Sequence, residues 1–179
     1  MDHKDTGRVV LWAYLMNRRG HVLNAVLLSL GLAVVLEPTA SVELARTVIT
    51  LSVPITLGAL FPDVDTAFGT HRKTLHNLAV LGLFAAWPIY MGNLDYVWIG
   101  VATHYILDVV GSTRGIALFY PLSATEYNVP FGIPVSSSKS DLVTLLVTAT
   151  EIGAFAGVLY YVVPGVTAYA AEYGIPIGV

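Results

Sequence analysis

Five apolar stretches set the limits on what this chain can become. They cover residues 22–36, 44–61, 75–91, 94–110 and 142–163. A membrane-crossing helix needs ~17–25 apolar residues, and these runs approach or reach that length. The first is the shortest and borrows flanking residues or sits in a thinned bilayer. The second contains Pro54, which a span tolerates where neighbouring groups satisfy the freed carbonyl. Glu37-Pro38, Gly92-Asn93 and Pro164-Gly165 read as stops for the first, third and fifth. Ser140 or Asp141 reads as the N-cap of the last.

Composition supports lipid contact. Of 179 residues, 55% are hydrophobic and 12% charged, about half the charged fraction of a soluble domain (~25%). The net charge of −3 offers no basic patch for nucleic acid. With no cysteine, disulfides and thiolate ligands are excluded, so any metal must be held by His, carboxylate, carbonyl or water. The polar N-terminus and its short apolar run, 9–16, do not read as a removable signal peptide. The expected architecture is a single all-α, polytopic membrane domain of about five transmembrane helices. Its parts are a core at 20–122, a loop at 123–141 and a last span at 142–163.

Basic residues orient it. Cytoplasmic loops collect Lys and Arg. With the N-terminus inside, Lys4, Arg8, Arg18, Arg19, Arg72, Lys73, Arg114 and Lys139 all fall on the cytoplasmic side, and Arg46 alone falls outside. The C-terminus is then outside. In this arrangement His21, Asp63, Asp65, His71, His76, His104 and Asp108 all come to the cytoplasmic face.

Each piece has an ordinary reading beside the chemical one. His104 and Asp108, four apart, share a helix face and can reach one ion; in a soluble helix they would be a polar contact and a helix end. Within a span, ionisable pairs are costly and functional by default. Asp63 and Asp65 follow Pro62 and can aim two carboxylates at a hard or borderline cation, or form a solvated turn. His71 and His76 bracket Arg72 and Lys73, which set topology or, in Arg72's case, clamp a phosphate with a planar fork. His21 alone would be interfacial decoration. Glu151 reads as structural, protonated or paired with a buried hydroxyl. The 121–139 segment, rich in Pro, Gly and Ser and carrying Tyr127 and Phe131, is long and irregular enough to be a functional lid or to be disordered.

These pieces resemble the YdjM-like family of prokaryotic membrane-bound, metal-dependent hydrolases. The resemblance covers about 20–122. It rests on Gly20-His21, Pro62-Asp63-Val64-Asp65, His71-Arg72-Lys73-Thr74-Leu75-His76 and His104-x-x-x-Asp108 with Gly115 and Pro121 downstream. Thr66 stands where the family often has His, and Leu75-His76-Asn77 where it often reads Thr-His-Ser. The family is in turn similar to zinc-dependent phospholipases C and single-strand nucleases, in which a His-x-x-x-Asp aspartate bridges two ions. No histidine follows His104, so the resemblance implies one or two ions and no trinuclear cluster.

What it implies is a membrane hydrolase of phosphoesters, with lipid or lipid-linked substrates favoured. The expected cofactor is a divalent metal, zinc first, with His21, Asp63, His71, His76, His104 and Asp108 as ligands. Asp65 is the expected general base or further ligand, and Arg72 the anion-steadying residue. The competing class is non-enzymatic: a structural metal site, a transporter or an interaction module in the membrane.

Overall fold

The computed structural model describes residues 3–111, 113–130 and 139–172, with side chains from Arg18 onward apart from those of 170 and 171. Residues 131–138 of the long 121–139 segment, Phe131 among them, lie outside the described residues. The helices are α1 (His3–Leu36), α2 (Val42–Leu60), α3 (Leu78–Met91), α4 (Val97–Val110), α5 (Ser140–Gly157) and α6 (Val163–Glu172). A 3-10 helix, Pro62–Ala67, follows α2. Among the described residues there is no strand, only an isolated antiparallel bridge between Ile116 and Tyr127.

Three rods are long and apolar enough to cross a bilayer: Arg18–Leu36, Val42–Ala67 and Ser140–Tyr169. The expectation of five such stretches was longer than the helices themselves, because α3 and α4 have 14 residues each. At ~1.5 Å per residue, each is about 21 Å long. The lost residues went into turns. Asn77 stops α3 from starting earlier by accepting the Val80 N–H at 3.1 Å, and Leu94 and Tyr96 adopt left-handed backbone before α4.

The last rod departs from expectation at its other end. Pro164-Gly165 does not end it; α6 runs through both. Proline cannot donate a backbone hydrogen bond and crowds the carbonyl four residues back. A π turn at Val158–Val162 absorbs this by moving the ladder one residue, so that the Val163 N–H reaches Val158 O. The expected side-chain cap at its start is also missing: Lys139 holds the cap position without one.

Two contacts organise the bundle. Ala25, Leu28, Leu32 and Ala33 of α1 meet Leu51, Ile55 and Ala59 of α2 in one buried cluster, at the three- and four-residue spacings that place side chains on one helical face. Beside that cluster, Gly58 and Gly100 let α2 and α4 cross backbone to backbone. A Cβ at Gly58 would strike Val97 O, and one at Gly100 would strike Ile55 O. Small residues at such crossings are how apolar helices approach closely in lipid. His104 lies one turn beyond Gly100, so this crossing carries its ring to the end of α2. By contrast α3 buries no residue, and its Leu83, Ile89 and Tyr90 are exposed, a surface suited to lipid.

Candidate metal centre

Four segments deliver the polar residues to one place: α1 with His21, the 3-10 helix with Asp63 and Asp65, the following turns with His71, Arg72 and His76, and α4 with His104 and Asp108. All except His71 are buried. All eight residues expected from sequence lie in this one cluster.

The hydrogen bonds assign the histidine tautomers. His104 Nδ1 is 2.6 Å from Ala59 O. A carbonyl only accepts, so Nδ1 carries the hydrogen. The carbonyl is one of the last four of α2, which have no partner within their own helix. His76 Nδ1 is 3.0 Å from Asp65 Oδ2, and a carboxylate again accepts. In both neutral rings the lone pair is therefore on Nε2. Those two Nε2 atoms face each other at 3.1 Å. Lone pairs at that distance repel unless a proton or a metal cation lies between or beside them.

Two carboxylate oxygens complete the group. Asp108 Oδ2 is 3.4 Å from His76 Nε2 and 3.6 Å from His104 Nε2. Asp63 Oδ1 is 3.7 Å from His104 Nε2 and 3.9 Å from His76 Nε2. That Asp63 oxygen is buried and accepts no hydrogen bond. A tetrahedral ion with bonds of about 2.0–2.1 Å separates its ligand atoms by roughly 3.3–3.4 Å. Five separations among these four atoms run from 3.1 to 3.9 Å. Asp63, His76 and His104 form a group that could hold a divalent cation, and Asp108 adds an oxygen within 3.6 Å of both imidazole nitrogens.

His21 and His71 flank this centre. The His21 ring stacks on His104, centroids 3.7 Å apart, and its Nε2 is 3.6 Å from Asp108 Oδ1. Its Nδ1 is buried without a hydrogen bond. His21, His104 and Asp108 thus form a second group of possible ligands, and Asp65, His71 and His76 a third. His71, about a third exposed at 32%, reaches Asp65 Oδ1 at 3.0 Å.

Asp65 and Arg72 are both engaged by neighbours within the cluster. Both oxygens of Asp65 are engaged, Oδ1 by His71 and Oδ2 by His76 and the Leu75 N–H, so it orients imidazoles. Arg72 is turned inward by left-handed backbone at φ 67°. Its Nη2 meets Asp108 Oδ1 at 3.3 Å and its Nη1 bonds Arg114 O. A fork so placed neutralises a buried carboxylate.

Burial works against protonation of His76, but the Asp108 and Asp65 carboxylates beside it outweigh that and raise its pKa above the ordinary imidazole value. The same carboxylates favour a cation at this position, whether a proton or a metal ion.

Sequence reading missed Tyr105. Its hydroxyl donates to Leu75 O at 2.6 Å and accepts the Asn77 N–H at 3.1 Å, gripping the backbone on both sides of His76. A tyrosine next to His104 was the available signal, but its target is set only by the turn that faces it.

No curated protein and no solved structure matches this chain. The description "YdjM inner membrane protein" belongs to a family whose profile matches residues 16–174, which takes in every residue of the centre and extends past the 20–122 expected from motifs. The chain belongs to the YdjM inner membrane protein family.

Proposed function

We propose that this protein is a metal-dependent hydrolase of the membrane that acts on phosphoesters. The observation that carries the proposal is the convergence of His76 Nε2, His104 Nε2, Asp63 Oδ1 and Asp108 Oδ2, four acceptor atoms with no cysteine among them. Structural zinc sites are mostly built on cysteine, whereas mixed imidazole and carboxylate sets are typical of catalytic ones. When bound, zinc would supply Lewis acidity and lower the pKa of a coordinated water to ~7. The protein's own part is positioning. Asp65 and Ala59 O fix the two imidazoles, Arg72 balances Asp108, and the part-exposed His71, held by Asp65, is placed to take a proton.

Location favours lipid substrates. Val64, Phe68, Phe119 and Leu122, on the segments around the centre, are exposed apolar residues, Leu122 at 94%. Such a rim suits the boundary between headgroups and acyl chains, where a lipid phosphate arrives by lateral diffusion. The same reading has five spans, the short α3 and α4 included, with the centre and N-terminus on the cytoplasmic side and the C-terminus outside. The Lys and Arg bias supports this. Thr70→Cys would then be labelled by a membrane-impermeant reagent only after the cytoplasmic side is opened; labelling of intact cells overturns the orientation.

One observation favours a structural metal site instead: seven His and Asp side chains crowd the centre, enough protein donors to fill an ion's coordination and leave no place for water. Turnover of phosphomonoesters and phosphodiesters, lipid and soluble, by zinc-loaded protein separates the two readings. Stoichiometric metal without turnover of any of them would favour the structural one.

A further inference from the structure

A second polar cluster lies deeper in the bundle, where α1, α4 and α5 meet. Asn24, Thr103 and Thr148 are buried there, and the half-buried Glu151 reaches them from α5. Thr103 Oγ1 is 2.6 Å from Asn24 Oδ1 and 2.6 Å from Glu151 Oε1. Asn24 Nδ2 is 2.8 Å from Thr148 Oγ1 and 3.0 Å from Glu151 Oε2. Thr148 Oγ1 is 2.8 Å from Thr144 O.

These five contacts require five hydrogens. Thr103 brings one, Thr148 one and the Asn24 amide two. Thr148 must give its hydrogen to the Thr144 carbonyl, which can only accept. Asn24 gives its two to Thr148 and Glu151. Thr103 has one hydrogen for two acceptors, so the fifth must come from the carboxyl of Glu151. Reversing the Asn24 amide does not remove the need. Its oxygen would then face Glu151 Oε2 at 3.0 Å, and a hydrogen on the carboxyl is again required.

We infer that Glu151 is a protonated, neutral clamp joining α5 to α1 and α4, and that it positions His21 and His104. Asn24 follows His21 by three residues, one helical turn, and Thr103 directly precedes His104. A neutral acid fits a span interior, where a charge is costly. The positioning role rests on the metal-centre reading; the proton count does not.

The test compares wild type with Glu151→Gln and Glu151→Leu in detergent. Glutamine keeps a donor toward Thr103 and an acceptor toward Asn24, with one N–H to spare. Infrared difference spectra of wild type against E151Q should show the carbonyl stretch of a protonated carboxylic acid at pH 7. E151Q should unfold within a few degrees of wild type and retain its zinc affinity within about two-fold. E151L should unfold several degrees lower and lose zinc affinity roughly ten-fold, the lower end of the effect of removing outer-shell support. Ionised-carboxylate bands at position 151, or an E151Q as damaged as E151L, overturn the clamp. So does an E151L that matches wild type in both unfolding and zinc retention. If wild type binds no zinc, the metal reading fails, and the infrared and unfolding results still decide the proton count.

Discussion

Asp65 stands behind His76, its Oδ2 3.0 Å from the ring's Nδ1, on the side away from the converging acceptor atoms. A carboxylate there locks the tautomer, makes the facing nitrogen a better ligand, and through its other oxygen holds His71. Asp65→Asn keeps the shape and loses the charge. Its expected effect is a 10–100-fold fall in zinc affinity, the usual range for such partners, with helix content by circular dichroism unchanged. An unaltered zinc isotherm would show that Asp65 is not an orienting group.

Arg72 and Asp108 test the electrostatics. Their side chains are 7% and 1% exposed and 3.3 Å apart. Removing one partner from a buried pair costs about 3–5 kcal/mol, because the other charge is left behind. Arg72→Met should destabilise the metal-free protein on that scale, and zinc should restore part of the loss by neutralising Asp108. Arg72→Lys should rescue incompletely, since a point charge cannot span Asp108 and the Arg114 carbonyl together. Equal destabilisation of metal-free and zinc-loaded R72M would contradict this.

The raised pKa of His76 has a signed consequence. A group protonated more readily in the folded than in the unfolded state stabilises the fold fully below its unfolded value, and that stability is lost as pH rises through the folded value. Here the window opens at 6.5 and extends upward. Metal-free wild type should therefore lose stability relative to His76→Gln as pH rises from 6 toward 9. Zinc must displace the His76 proton, so its affinity should climb over the same interval. Unfolding midpoints of both proteins, with and without zinc, across that series check it. A wild-type minus mutant difference that grows with pH in the metal-free proteins would refute the assignment.

Much of this centre was legible before any geometry. Ionisable residues are expensive in a greasy chain, so those present had to be used together, and the alternation of apolar runs brought them to one end. Gly58 and Gly100 were not legible, because a glycine signals close approach only once its partner helix is known. The Arg72–Asp108 pair was hidden for a similar reason: the inward turn of Arg72 depends on left-handed backbone that an arginine does not announce. The helix ends were also hidden. Asn77 set the start of α3 by capping it, and Pro164 sat in a rod that a π turn allowed to continue.

Phe68 and Leu122, 66% and 94% exposed, test the lipid side of the proposal. Phe68→Ser with Leu122→Ser should lower turnover of a phospholipid in vesicles several-fold and leave a short-chain soluble phosphoester unchanged. Equal losses on both substrates would assign the rim to folding and not to lipid presentation.

The central claim is that a divalent cation belongs among Asp63, His76, His104 and Asp108. Elemental analysis of protein purified without chelator or affinity metal tests it most directly. The expected result is at least one zinc-class ion per chain in wild type, with loss of that ion in His104→Ala and in Asp108→Asn. Wild-type protein that carries no stoichiometric divalent metal, and takes none up when zinc is supplied, contradicts the account.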